Sequence, residues 1–374
     1  MAPATMKAAI CKEAGQPLVI EEVPVPVPTG RALLVRVQVA SLCHSDVMIA
    51  AGGASLAQLP QILGHEAISV VEELGPDAAA YGVAVGDRIG APLWQNSCLS
   101  CFECRHIGQH FCPSLQMKGV TSAGYFAEYS LVDAATAVRI PADINASPAQ
   151  LSPIFCAGIT VWDALKRAAI APGETVAVVG IGGLGEIATK YAQALGARVL
   201  ALDVNDAQLA GVRDGGSADG VLNTRDLKRE QIRERLVALN GGRLVDAVVV
   251  TSGSGPAYQT AFAILRPEGR LMAVGIPDQP VPMAMGLVAT QAFRFVCGAL
   301  LLWCWRTWTN VLYRIIGAKV AGQAGATRCL EFSQRKGIYP KVNPRKFQLE
   351  DINEMMALME AGEVHDGRMA VQFF

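Results

Sequence analysis

Two thiols and one imidazole in this chain are of the types that hold a metal ion. Cys43 opens the run Cys43-His44-Ser45-Asp46, His65 sits in Gly64-His65-Glu66, and Cys156 lies far from both in sequence. Two cysteines and a histidine leave the fourth position of a tetrahedral Zn²⁺ open, which is the arrangement of a catalytic site. Asp46 and Glu66 stand one to three residues from these ligands, where a carboxylate can orient them. Spacing alone does not bring the three together. Read singly, each is also a buried small hydrophobe or a satisfied polar residue.

A second group is more compact. Cys98, Cys101, Cys104 and Cys112 fall close together in one short stretch. Four thiolates close a tetrahedral zinc shell with no open position, so the spacing points to a structural site. An iron–sulfur run ending in Cys-Pro needs three residues before its last cysteine, and seven precede Cys112. A nucleic-acid-binding ribbon needs basic residues, and Arg105 is the one Lys or Arg between Cys98 and Cys112 apart from histidines.

The third motif is Gly180-Ile181-Gly182-Gly183-Leu184-Gly185. It follows the apolar run Thr175–Val179 and opens a helical pattern, the context in which glycines let backbone approach a pyrophosphate. Asp203 ends the next strand-like run. Its distance from the glycines is the one at which a carboxylate accepts hydrogen bonds from a ribose. A carboxylate there repels a 2′-phosphate, so NAD is favoured over NADP.

The elements that must carry these residues fall into two patterns. Residues 7–40 read as short β segments, with more at 67–74, 88–92 and 125–140. An irregular cysteine-rich lobe spans 98–112, and 141–170 reads as helical around Cys156. From Thr175 strands and helices alternate, which is the pattern of a doubly wound parallel sheet. A helix over 349–361 and a strand over 368–374 close the chain. The expected class is α/β, a β-rich domain followed by a dinucleotide-binding one.

The 374 residues suffice for two domains with sizeable cores. A hydrophobic share of 51% against 17% charged argues for a globular chain. A net charge of −1 without a basic block argues against nucleic acid and anionic membranes. The longest apolar run, Phe295–Trp305, is too short to span a bilayer. With no secretory pattern at the N-terminus, a cytoplasmic location is the expectation, and the ten cysteines read as thiols or ligands.

Together these motifs, with Val85-Gly86-Asp87-Arg88 and Phe155-Cys156-Ala157-Gly158-Ile159-Thr160-Val161, resemble the zinc-dependent alcohol dehydrogenases of the medium-chain dehydrogenase/reductase superfamily, closest to the yeast and fungal type. The resemblance runs from Met6 to Phe374. It implies a GroES-like catalytic domain of residues 1–153 completed by 320–374, and a Rossmann coenzyme domain over 154–319. It implies two zinc ions per subunit, the catalytic one on Cys43, His65 and Cys156 with Glu66 able to approach, and the structural one on Cys98, Cys101, Cys104 and Cys112. By the same match Asp46 pairs with His65, Ser45 hydrogen-bonds the substrate alcohol, and His44 and Arg368 contact the coenzyme phosphates. Thr160 lies near the nicotinamide, and Gly180, Gly182, Gly183, Leu184, Gly185 and Asp203 bind the dinucleotide. The implied reaction moves a hydride between an alcohol and NAD in a homodimer or homotetramer.

The chain departs from that pattern in places. Met48 stands where the family's proton relay commonly ends in histidine. The segment Val47–Gly52 lacks the aromatic residue that narrows an ethanol pocket, which suggests a larger substrate. Gln208 replaces a lysine often found near the ribose. Leu301–Lys319 is extra and holds Trp303, Trp305 and Trp308, three of the five tryptophans; it reads either as a genuine insertion or as a retained intron.

Overall fold

The computed structural model describes all residues except Met1, Ser55, Asp278, Met283–Phe293, Ala299–Arg314, Lys319 and His365. The chain divides into two compact units, Met1–Cys156 with Ala321–Phe374, and Ala157–Val320. The division falls after Cys156 and after Val320, so Cys156 belongs with the first unit.

The first unit is built on the long strand Ala32–Ser41, most of whose residues are buried. It pairs antiparallel with Ala67–Leu74, with Tyr129–Asp133 and with the returning strand Ala370–Gln372. The far end of this strand delivers Cys43. There the chain turns into a seven-residue helix, His44–Ala50, with extended Cys43 as its N-cap. Ala67–Leu74 begins directly after His65 and Glu66, so two neighbouring antiparallel strands present the three residues at the same end of the sheet. A three-stranded antiparallel sheet of Val19–Pro24, Thr5–Cys11 and Gln61–Ile62 lies in the same unit.

The region expected to be helical around Cys156 is broken there. A helical turn Pro148–Leu151 passes into the 3₁₀ turn Ser152–Phe155, and Cys156 itself leaves helical geometry at φ −130°, ψ −71°. Pro153 removes a donor that a continuous helix needs, so the chain tightens and re-aims just before the cysteine. The C-terminal helix is likewise shorter than its pattern, a 3₁₀ turn Leu349–Asp351 followed by Ile352–Glu360.

The second unit holds a seven-stranded, all-parallel sheet. Its spatial order is Gly220–Asn223, Arg198–Asp203, Thr175–Val179, Val245–Val250, Leu265–Ala273, Arg294–Gly298 and Ile315–Ala318. The first strand in sequence is thus third in space and is flanked by the second and the fourth. That reversal is the switch point at which such sheets bind ligands beyond the strands' carboxyl ends. Thr175–Val179 is buried at every position, the continuous apolar strand that a sheet covered on both faces requires. Most of the extra stretch 301–319 lies outside the described residues, but Ile315–Ala318 forms one of the sheet's two edge strands. Among the described residues, no helix is long and apolar enough to cross a membrane.

Candidate active site

Asp46 organises the first cluster. Its side chain is fully buried and accepts three hydrogen bonds, from the Cys43 N–H at 3.0 Å, the Gly64 N–H at 3.1 Å and His65 Nδ1 at 3.0 Å. A carboxylate on Nδ1 fixes the tautomer and leaves Nε2 free to ligate. The other donors converge with it. Ligand atoms of Cys43, His65, Glu66 and Cys156 all lie within 4.8 Å of one another, and all four side chains are turned inward. Ser45 stands at the cluster's margin, half-buried, with Oγ 3.8 Å from Cys43 Sγ.

Glu66 is held from one side. Its Oε2 accepts from Ser41 Oγ and from Arg368 Nη2, while Oε1 is buried and accepts no hydrogen bond among the described residues. A buried carboxylate oxygen left unpaired is costly unless something positive faces it. Two sulfurs and a nitrogen beside it complete a donor set that suits Zn²⁺.

The electrostatics follow from this crowding. The Cys43 thiol is held well below its ordinary value, first by a hydrogen bond with Cys156 and then by the His65 imidazole, which together outweigh burial. Cys156 is raised well above its ordinary value by the same shared proton and by burial. Burial alone would lower His65; Asp46 and Cys43 more than offset it and raise it well above its usual range. Burial pushes Glu66 up to about 7 against the opposing field of Arg368. The cluster is therefore partly ionised already, and a divalent cation would complete the deprotonation of its thiols.

The four-cysteine lobe forms the second cluster in this unit, its sulfurs also mutually within 4.8 Å. Backbone N–H groups of Cys98, Cys101 and Cys104 point at the sulfurs of Cys112, Cys98 and Cys101, at 3.3, 3.3 and 3.4 Å. Amide donors aimed at sulfur favour thiolate, and hydrogen bonds from Ser100 draw Cys98 down to about 5. Leu99 takes φ 60°, the left-handed conformation that lets so short a turn close.

In the second unit the glycine turn joins Thr175–Val179 to the helix Gly183–Ala194. Gly185 is required by contact, since a Cβ there would lie 1.9 Å from the Gly180 carbonyl oxygen. Gly182 caps the helix, and a Cβ on it would project into open space, which leaves its backbone approachable. Asp203 accepts from the Ile181 N–H and, at 2.8 Å, from the Asn205 N–H, so it braces the turn from the end of the next strand. Thr160 is buried in the helix Ala157–Arg167 of this unit. The glycine turn forms the cradle that a dinucleotide phosphate needs.

Residues 30–142 match the alcohol dehydrogenase GroES-like domain, and residues 183–315 match the zinc-binding dehydrogenase domain. Over 371 residues, 98% of each chain, the sequence is 33% identical to an alcohol dehydrogenase of Rhizobium meliloti (strain 1021). The chain belongs to the zinc-dependent alcohol dehydrogenases. A second relative, an alcohol dehydrogenase of Geobacillus stearothermophilus, is 33% identical over 98% of this chain and 99% of its own. The crystal structure of the alcohol dehydrogenase from the archaeon Aeropyrum pernix superposes with a TM-score of 0.84 at 27% identity, covering 98% of this chain and 100% of that one. The dehydrogenase fold therefore extends over both units, GroES-like and Rossmann.

Three features of this dehydrogenase escaped the sequence reading. Arg368, matched to a coenzyme phosphate contact, has its guanidinium on Glu66 and is itself buried. Ser41 and Ser152 join Glu66 in a buried hydroxyl network. Arg225 donates from Nε to the Val204 carbonyl at 2.9 Å, which sets a cation beside the residue after Asp203. Only the placement of Ser41 and Ser152, two and four residues before Cys43 and Cys156, is visible in the sequence.

Proposed function

We propose that this dehydrogenase transfers a hydride between an alcohol and NAD, with Cys43, His65 and Cys156 as ligands of a catalytic zinc and the four lobe cysteines as ligands of a structural one. The observation that carries the reading is the convergence of two sulfurs, an imidazole nitrogen and a carboxylate oxygen within 4.8 Å.

Zinc held there supplies Lewis acidity that lowers the pKa of an alcohol hydroxyl, and the nicotinamide supplies the hydride acceptor. The chain's own work is positional and protolytic. Asp46 keeps His65 turned to the cluster, Ser45 takes the alcohol proton, and Glu66 stands by to exchange with water. Gly180, Gly182, Gly183, Leu184 and Gly185 receive the pyrophosphate at the helix start, with His44 as a further phosphate contact. Asp203 accepts from the adenosine ribose, and Thr160 lies by the nicotinamide. The absence of an aromatic side chain from Val47 to Gly52 supports a substrate larger than ethanol. A cytoplasmic homodimer or homotetramer is part of this proposal.

A second reading has one observation in its favour. Arg225, anchored at Val204, is the kind of cation that accommodates a 2′-phosphate, and with it the chain would use NADP. Asp203, which accepts from the Ile181 N–H of the glycine turn through one oxygen and from the Asn205 N–H through the other, keeps a carboxylate beside that position and weighs against it.

The test is a panel of primary, benzylic and secondary alcohols assayed with NAD and with NADP. Reduction of NAD by at least one alcohol, abolished by Cys43→Ala while one zinc per chain remains, is the expected result. No turnover with any alcohol or aldehyde in either cofactor would leave a zinc- and nucleotide-binding protein without the activity.

A further inference from the structure

The strand that ends at Ser41 and the 3₁₀ turn that starts at Ser152 each lead to a ligand cysteine, two residues and four residues later. Their hydroxyls meet, Ser41 Oγ and Ser152 Oγ standing 2.9 Å apart with both residues fully buried. Glu66 is tied to this pair twice. Its backbone carbonyl accepts from Ser152 Oγ at 2.9 Å and from the Ser41 N–H at 3.0 Å. Its side-chain Oε2 accepts from Ser41 Oγ and Arg368 Nη2.

Each hydroxyl has a single proton to give. The proton of Ser41 goes to the Glu66 carboxylate, and that of Ser152 goes either to the Glu66 carbonyl or to the lone pairs of Ser41. Arg368 only donates. The Ser41 hydroxyl and Arg368 Nη2 thus both fall on Oε2, while Arg368 Nε has no hydrogen-bond partner among the described residues. Oε1 is the oxygen of Glu66 left without a hydrogen bond among the described residues, in a carboxylate that stands with the two cysteines and the histidine.

We propose that Ser41 and Ser152 are positioning residues that pin Glu66 through one oxygen, so that the other is held beside the metal as a single reserve ligand. The proposal rests on reading the cluster as a zinc site. Ser41 acts directly: without its hydroxyl, Oε2 keeps Arg368 only, and the carboxylate is free to swing and offer either oxygen or both. Ser152 acts through Ser41 and the Glu66 backbone, so its removal has the smaller effect. Hydroxyls that merely filled space would contribute stability and leave the metal's coordination unchanged.

Cobalt(II) in place of zinc distinguishes the two roles, because its visible and thiolate charge-transfer bands respond to ligand number and geometry. Ser41→Ala is expected to alter the bands that Cys43→Ala removes, and to lose cobalt to a chelator roughly ten-fold faster, the usual scale for a lost outer hydrogen bond. Ser152→Ala should shift both in the same direction by less, and Ser41→Thr, which keeps the hydroxyl, should restore them. Parental bands and loss rate in Ser41→Ala overturn the proposal, even with lowered thermal stability. Should Ser41→Ala fail to fold, parental bands and rate in Ser152→Ala do so. A parent protein with no cobalt bands sensitive to Cys43→Ala overturns the zinc reading itself, and the proposal with it.

Discussion

The carboxylate of Asp46 stands 3.0 Å from His65 Nδ1 and, through its other oxygen, 3.0 Å from the backbone nitrogen of Cys43. One buried side chain thus sets the orientation of two of the cluster's donors, an imidazole and the thiol of an N-cap residue. Asp46→Asn keeps the shape but leaves an acceptor-poor amide with a donor of its own facing these groups. Its expected effect is a loss of catalytic zinc affinity and of kcat of about 10- to 100-fold, with the lobe zinc retained. Metal analysis after mild chelation, together with steady-state kinetics, checks this; full zinc and parental kcat would show that His65 needs no such partner.

The lobe predicts a different response. Its four sulfurs leave no open position, so Cys101→Ser should cost one zinc per chain and lower the melting temperature, while kcat per catalytic zinc stays near that of the parent. Loss of turnover in proportion to the lobe metal, with the fold intact, would place that metal in the chemistry instead.

Lys118 carries a stability prediction of its own. Its amine is buried, 2.5 Å from the Ala123 carbonyl and 2.8 Å from Ser130 Oγ, and lies 4.9 Å from the centre of the Tyr125 ring. Burial pushes its pKa down from an ordinary 10.5 to about 7, while the two acceptors oppose the shift. Between pH 7 and 10.5 the unfolded chain holds a proton that the folded one has released, so the unfolding free energy rises with pH across that window. The rise is at most roughly 5 kcal/mol, and the acceptors reduce it. Denaturation midpoints taken from pH 7 to 10 should climb in the parent and flatten in Lys118→Met. Equal slopes would mean that the folded amine keeps its charge throughout.

What could be read from the sequence was what has a local signature. Thr175–Val179 announces itself by an unbroken apolar run, and the glycines after it by their spacing. The thiols and imidazole were legible as types. Their meeting was not, because contacts between distant segments leave no periodicity. Ser41 and Ser152 are 111 residues apart, and Arg368 reaches Glu66 across 302. The break at Cys156 was hidden for another reason: the helical pattern runs on both sides of it, and the 3₁₀ turn that re-aims the cysteine differs from a helix by one hydrogen-bond step.

Met48 bears on how the proton leaves. It lies three residues after Ser45 in the helix His44–Ala50, and residues so spaced share a helix face. A thioether neither donates nor carries a proton, so on the proposed route the path from Ser45 would have no titratable side chain at residue 48 and would depend on water. Space there is limited: Gly53 donates its N–H to the Met48 carbonyl at 2.8 Å, and a Cβ on Gly53 would stand 2.9 Å from Met48 Cγ. Histidine branches no earlier than its own Cγ and keeps that packing. Met48→His should therefore raise turnover several-fold and add to the pH–rate profile a group near the imidazole value of about 6.5. Comparing kcat for parent and variant from pH 5.5 to 9 is the measurement. Superimposable profiles would mean that proton exit does not limit the parent, and that the methionine at this position costs the dehydrogenase nothing.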